Sequence, residues 1–279
     1  MIANDLSDFG RYAPTGLVAR LVRLTRLCRG SWAGRRSAFL LRGIALRALG
    51  GRPLDVEALG ARMRLYPYNN VCEKRILFTP QFFDPAERAL LEARMRPGFV
   101  FLDIGANIGG YTLFAAGVAG PGARILAVEP QPEIFERLVY NIRQNAFPGI
   151  KAVECALSDR DGEVTLFVDA ANRGGTSMRM VGAGRSGERL TVRAKTLLSL
   201  AGEENLSRID AMKLDVEGAE DLILEPFFAQ APQPLWPRLL LIEHHREEAG
   251  GTLIAALARC GYQEVLRTGN KVAYELSGG

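Results

Sequence analysis

Histidine is almost absent from the chain: His244 and His245 are the only two. Cysteine is scarce too. Cys28, Cys72, Cys155 and Cys260 stand far apart and form no CxxC pair, so neither a zinc knuckle nor a redox dithiol is indicated. A reducing, cytoplasmic compartment fits that usage best. No apolar run reaches the roughly 18 to 20 residues of a bilayer span. The N-terminus has no uninterrupted apolar core followed by a small-residue cleavage site, so no secretory signal is expected. The first 50 residues hold no lysine and only two acids, Asp5 and Asp8, against nine arginines. That segment carries +7 of a net charge of +4, which leaves the remainder at −3. A weakly acidic body argues against nucleic acid as a partner. There are no internal repeats. The overall composition, 48% apolar and 24% charged, is ordinary for a globular protein. The 279 residues allow one large domain, or one domain with an extension.

The charge asymmetry marks an organisational boundary. Residues 16 to 29, GLVARLVRLTRLCR, place Leu17, Leu21, Leu24 and Cys28 at helical spacing, with Arg20, Arg23 and Arg26 between them. The pattern continues loosely through SAFLLRGIALRALGG to a glycine pair and Pro53. Residues 1–52 are therefore expected to form a basic helical extension that packs on a domain of residues 53–279, its arginines solvated. A second reading is a basic amphipathic surface in peripheral contact with an anionic membrane, and a third is a targeting segment. Beyond it, ARMRLYPYN alternates as a strand, and DPAERALLEARM reads as a helix with Asp84 as N-cap, Pro85 at its first position and Glu87 closing a capping box. Strand candidates FVFLDIG, ARILAVEP, IKAVECALS, IDAMKLDVEG and RLLLIEHH then alternate with helix candidates YTLFAAGVA, PEIFERLVYNIRQNA, AEDLILEPFF and GTLIAALARCG. Apolar strands alternating with helices predict an α/β fold with a parallel sheet covered on both faces. EVTLFVD and RLTVRAK, on either side of a Gly- and Arg-rich stretch, predict an inserted hairpin with a mobile loop over 170–188. Gly269-Asn270, between YQEVLRT and KVAYEL, is a hairpin signal that makes the last strand antiparallel.

FVFLDIGANIGGYTLFAAG is a strand, a Gly-rich turn and a helix, the general nucleotide-binding crossover. A dinucleotide site wants G-x-G-x-x-G. Here the second glycine slot is Asn107, and the glycines are Gly105, Gly109 and Gly110. Asp103, two residues before Gly105, would repel a pyrophosphate and suit a cationic ligand such as S-adenosylmethionine (SAM). The next strand ends in Glu129, placed to accept from ribose hydroxyls. The third ends in CALSD, which would put Ala156, Leu157, Ser158 and Asp159 beside an adenine. Three successive strands thus present ligand-type groups at their carboxyl ends.

FLDIGANIGGYT (101–112), VEPQPEIFERLVYNI (128–142), ALSDRDG (156–162) and above all MKLDVEGAE (212–220) resemble the FkbM family of class I SAM-dependent methyltransferases. The resemblance spans about residues 62 to 265. It implies a Rossmann-like, mostly parallel seven-stranded sheet with an antiparallel final strand, and methyl transfer, commonly to a hydroxyl of a sugar, glycolipid or other small natural-product acceptor. One departure stands out: the family usually has Asp after Thr-Leu before the fourth strand, and here the run is Thr196-Leu197-Leu198.

An alcohol acceptor needs a proton acceptor held at its hydroxyl. Candidates at the relevant strand ends are Asp215, Glu217 and Glu220, then Glu243, His244 and His245. Asp215, His245 and Glu217 are the expected catalytic groups. Glu220 and Asp221 suit the positive end of a helix. Lys213, two residues before Asp215, shares its strand face and suits a counter-charge. A divalent ion on Asp215, Glu217, Glu243 and a histidine has the right donor types, but no spacing fixes it, so no metal is assigned. An amino-purine methyltransferase would carry (N/D)PP(Y/W/F) after the fourth strand, and a cytosine C5 enzyme a Pro-Cys nucleophile. Neither segment is present, which favours oxygen as acceptor. Two alternatives remain open: an NAD-dependent oxidoreductase, and a non-catalytic SAM-binding module.

Overall fold

The computed structural model describes residues 4–168, 176–177, 188–244 and 250–277. Helices α1 (Gly16–Leu27) and α2 (Trp32–Leu49) precede an antiparallel pair, β1 (Leu54–Ala58) and β2 (Ala61–Leu65). Helices α3 (Val71–Phe78) and α4 (Pro85–Arg94) lead into the main alternation: β3 (Val100–Ile104), α5 (Gly110–Ala119), β4 (Arg124–Val128), α6 (Pro132–Arg143) and β5 (Ile150–Val153). A small second sheet follows, from β6 (Ala156–Leu157), β7 (Gly162–Val168), β8 (Thr176–Ser177) and β9 (Glu188–Lys195). The chain then runs through α7 (Leu197–Glu203), β10 (Ala211–Leu214), α8 (Glu220–Gln230), β11 (Leu239–Glu243), α9 (Gly250–Arg259), β12 (Tyr262–Thr268) and β13 (Lys271–Leu276).

The main sheet has seven strands in the order β12-β13-β11-β10-β3-β4-β5. β13 pairs antiparallel with both neighbours, while β11, β10, β3, β4 and β5 pair in parallel, as the alternation and the Gly269-Asn270 turn predict. The two-residue period of the strands sorts side chains to two cores. Phe101, Ile125, Ala211, Leu239 and Leu241 face one core, with Leu113, Ala115 and Ile134 of α5 and α6. Leu102, Ile104, Leu126, Met212, Leu214 and Leu240 face the other, with Leu200, Leu224 and Leu257 of α7, α8 and α9. Burying each such leucine contributes about 2 kcal/mol.

Five expectations are corrected. IKAVECALS is not one strand: β5 stops at Val153, and Ala156 and Leu157 pair with Ala194 and Lys195 of β9. The inserted β7–β9 hairpin supplies backbone partners that the outermost strand of the main sheet lacks, so the chain switches sheets there. Asp84 and Pro85 take the expected N-cap and first positions of α4, but the Asp84 side chain does not cap the helix. The residue adopts a left-handed conformation (φ 43°) and its side chain makes no capping bond, because Arg75 and Lys271 draw its carboxylate away. Glu87 consequently closes no capping box and instead accepts from the Thr268 hydroxyl. Finally, of the expected stripe through Leu17, Leu21, Leu24 and Cys28, α1 buries only Leu21, together with Val22 and Thr25. The helical period alone does not decide which positions turn inward; contact with the body does. Leu21, Val22, Ala45 and Leu49 join Met63, Leu65 and Ile76 in a single core. Arg26, expected in solvent, donates from Nε to the Leu77 carbonyl (3.0 Å) and from Nη1 to that of Glu57 (2.8 Å). The hairpin strands β7 and β9 pair antiparallel as expected; most of the loop between them lies outside the described residues.

A buried ion pair ties the N-terminal segment down. Arg64, fully buried, donates to both oxygens of Asp55 (2.7 and 2.9 Å) and to the carbonyls of Asp5 and Asp8 (2.8 and 2.9 Å).

Candidate active site

The glycine turn is shaped by close approach. Gly105 has φ +73°, and a Cβ there would lie 2.1 Å from the Asp215 carbonyl. Its glycine is thus required by the packing of β3 against the end of β10. Asn107, in the slot where a dinucleotide site carries glycine, is also left-handed (φ 51°), a conformation asparagine tolerates better than most residues. Its Oδ1 accepts from Asn70 Nδ2 (2.8 Å) and the Ile108 amide (2.9 Å). Gly109 (φ +92°) is fitted against Leu138, 2.8 Å from where its Cβ would stand.

A cavity of ≈ 220 Å³ opens at the carboxyl ends of β3, β4 and β10. Register explains its chemistry. Lys213 sits directly beside Asp103 across the β10–β3 pair, so the two share a face. Asp215 lies two residues further along on the same face. Lys213 Nζ reaches Asp215 Oδ2 at 3.1 Å and Asp103 Oδ1 at 3.9 Å. It also stands 5.3 Å from the centroid of the Tyr111 ring. Burial alone would push this ammonium down, but the Asp215 and Asp103 carboxylates hold it well above its usual range. The expected counter-charge role of Lys213 is therefore realised.

Asp103 is 1% exposed. Its Oδ2 accepts from Thr112 Oγ1 at 2.6 Å, whereas buried Oδ1 accepts no hydrogen bond. Burial pushes its pKa above the usual carboxylate range, against the pull of Lys213 and Thr112. Glu129, 7% exposed, accepts the Asn107 amide on one oxygen (2.9 Å) and the Gln131 amide on the other (3.0 Å). Burial pushes it up to about 7. Each of its oxygens keeps a lone pair for another donor. A buried carboxylate oxygen without a donor, followed one strand over by a carboxylate with spare acceptor capacity, suits a ligand with an ammonium at one end and hydroxyls further along. SAM has that donor set.

Asp215 is opposed by stronger partners. Burial pushes it up, but Lys213 and Lys271 outweigh burial and hold it below the usual carboxylate range. Glu217 (φ 56°) lines the same cavity. Glu243 lines it too, accepting from Asn270 Nδ2 at 2.7 Å. Glu220 and Asp221 open α8 as expected, and Glu220 Oε1 accepts the Gly218 amide at 3.3 Å.

Of the residues expected at a cofactor, Asp103, Gly105, Asn107, Glu129, Ala156 and Leu157 line the cavity. Gly109 and Ser158 do not. Gly109 packs under the turn, and the Ser158 amide bonds the Lys195 carbonyl at 2.9 Å, following β6 into the second sheet. His244 is turned to Tyr274, with Nε2 3.0 Å from its hydroxyl; His245 lies outside the described residues. Among the described residues no group of three or more His, Cys, Asp and Glu is arranged to hold a metal ion.

Sequence reading missed one side of the cavity. Asp84 there receives Arg75 Nη2 (2.9 Å), Lys271 Nζ (2.5 Å) and the Tyr111 hydroxyl (3.3 Å). The α3 helix that carries Arg75 is capped by Asn70, whose side chain accepts the Glu73 amide. That cap was a local signal available for this helix.

The strand order, with its single antiparallel strand, and the acid-lined glycine turn define a Rossmann-like class I methyltransferase fold. Within that class, the chain belongs to the family described as the methyltransferase FkbM domain, whose model matches residues 103–264. It is 28% identical over 228 residues to a 31-O-demethyl-FK506 methyltransferase FkbM of Streptomyces tacrolimicus, covering 70% of this chain and 84% of that protein. It is 32% identical over 152 residues to methyltransferase sdnD of Sordaria araneosa, covering 44% of this chain and 58% of that protein. Among solved structures, Aeropyrum pernix fibrillarin with natively bound S-adenosyl-L-methionine superposes with a TM-score of 0.42 at 14% identity, covering 81% of both chains. The family assignment removes the nicotinamide oxidoreductase reading.

Proposed function

We propose that the chain transfers the methyl group of SAM to a hydroxyl on a sugar, glycolipid or other small natural-product acceptor. The observation that carries this reading is the buried Asp103 oxygen that lacks a donor, set in the same cavity as Glu129 and Asp215. Asp103 receives the amino-acid ammonium, Glu129 the ribose hydroxyls, and Ala156 and Leu157 flank the base. SAM, when bound, supplies a methyl carbon activated by its sulfonium. Asp215 then takes the acceptor's proton as the oxygen bonds to that carbon and the sulfur keeps the electron pair of the broken bond. A weak base is adequate, because an alcohol oxygen becomes strongly acidic as its new bond forms. Lys213 keeps Asp215 ionised and fixed in place, and Glu217 orients the acceptor hydroxyl. His245 remains a second proton acceptor in this proposal. The Streptomyces relative is by its name an O-demethyl-FK506 methyltransferase, which supports oxygen as the acceptor atom.

The test is a panel of hydroxylated glycans, lipid-linked sugars and macrolides incubated with SAM, read as S-adenosylhomocysteine release and acceptor mass. Turnover on a hydroxyl is expected, falling about 100-fold in Asp215→Asn with SAM affinity retained. SAM binding without turnover on any member would identify a non-catalytic module instead.

A further inference from the structure

The α1–α2 hairpin exposes apolar side chains that its own packing does not use. Twelve large hydrophobic residues are exposed among the described residues, and seven of them belong to these two helices. On α1 these are Leu17, Leu24 and Leu27, with Arg20 and Arg23 exposed among them. Positions 17, 20, 24 and 27 follow the period of one helical face. On α2 they are Trp32 (75% exposed), Phe39 (62%), Leu40 (67%) and Ile44 (47%). Their spacing, with exposed Arg36 and Arg47 between them, again defines one face, opposite the buried Ala38, Ala45 and Leu49.

Charge selects the partner. Between Asp8 and Asp55 the chain has ten arginines, no lysine and no acid. The Arg36 guanidinium lies 5.3 Å from the Trp32 ring centroid, and that of Arg42 lies 4.1 Å from the Phe39 ring. Such pairs let a guanidinium stay at headgroup depth while its aromatic partner sits just below. A nucleic-acid surface would use the arginines but leave Leu17, Leu24, Leu27, Leu40 and Ile44 without partners. An anionic bilayer satisfies both sets at once: phosphate headgroups meet the arginines, and the acyl boundary takes the apolar side chains. No helix among the described residues is long and apolar enough to cross a membrane, so the contact is with the surface.

We propose that the α1–α2 hairpin docks the protein on an anionic lipid bilayer, with Trp32, Phe39, Leu40 and Ile44 inserted at the headgroup boundary and the arginines on phosphate. This rests on the hairpin alone and is independent of the reaction proposed above.

The test is co-sedimentation of the full chain with phosphatidylcholine vesicles, with and without phosphatidylglycerol, alongside Trp fluorescence. Binding should require the anionic lipid, weaken with added salt, and blue-shift the emission. Near such a surface each arginine is worth about a fivefold change in partitioning. Arg36→Gln/Arg47→Gln should therefore bind about 25-fold more weakly, while Arg36→Lys/Arg47→Lys keeps most of the binding. Trp32→Ser/Phe39→Ser should lose at least about tenfold. All six substitutions fall on exposed or surface-facing positions, and unchanged circular dichroism and Tm would show that the fold is kept. Equal binding to neutral and anionic vesicles would overturn the proposal. So would failure to bind anionic vesicles, displacement of vesicles by duplex DNA, or a dimer formed through this face that ignores lipid.

Discussion

Replacing Lys213 with methionine tests the electrostatic design of the cavity. The side chains are similar in length, so the change removes the charge and little volume. Lys213 Nζ stands 3.1 Å from Asp215 and 3.9 Å from Asp103. At an effective dielectric of about 20, those separations correspond to attractions of about 5 and 4 kcal/mol, much of it offset by taking the ammonium out of water. Removing only the cation leaves two carboxylates on adjacent strands with nothing between them, a change that costs about 3 to 5 kcal/mol. The loss depends on pH. In the wild type, burial already raises Asp103 and Lys213 holds Asp215 low. In Lys213→Met both carboxyls rise. A carboxyl raised above its unfolded value contributes stability that is full at low pH and lost as pH rises through its folded value. Urea unfolding should therefore show the full deficit near pH 8 and a smaller one near pH 5. A deficit below about 1 kcal/mol, or one equal at both pH values, would refute the reasoning.

Three further outcomes follow from the same structure. Burial pushes Glu129 up to about 7, and protonation takes up one of the two lone pairs it has left for ribose hydroxyls. SAM affinity should therefore fall up to about tenfold per pH unit below that value, and calorimetry on Glu129→Gln should show the slope gone. Gly105→Ala would force a Cβ to 2.1 Å from the Asp215 carbonyl at φ +73°, so thermal unfolding should report a loss of about 3 kcal/mol or more. Asp55→Ala strands the buried Arg64 guanidinium, and chemical denaturation should show about 3 to 5 kcal/mol lost.

Local chemistry made much of this site legible. The β3–turn–α5 crossover, Glu129 at the end of β4, and Lys213 beside Asp215 are all encoded within about ten residues by strand period and turn composition. Lys213 was readable as a counter-charge because positions two apart on a strand must share a face. Asp84 shows where such reasoning stops. Its Asp-Pro-Ala-Glu context is a sound helix-start signal, yet its carboxylate is claimed by Lys271, 187 residues away, and by Arg75. No periodicity reports a contact at that separation. Ser158 lies outside the cavity lining for a related reason: the inserted hairpin draws the chain after β5 into a second sheet, where the Ser158 amide bonds the Lys195 carbonyl, and only tertiary pairing decides that. On α1, contact with the body turned Val22 and Thr25 inward beside Leu21 and left Leu17 and Leu24 outside, which the helical period alone does not decide.

The central claim is that this cavity holds SAM through Asp103. Isothermal titration of SAM into the wild-type protein and into Asp103→Ala tests it most directly. The account predicts saturable one-site binding to the wild type, at least about tenfold weaker in the variant, with no heat from NADH in either. A wild type that does not bind SAM, or a folded Asp103→Ala that binds it as tightly, would contradict it.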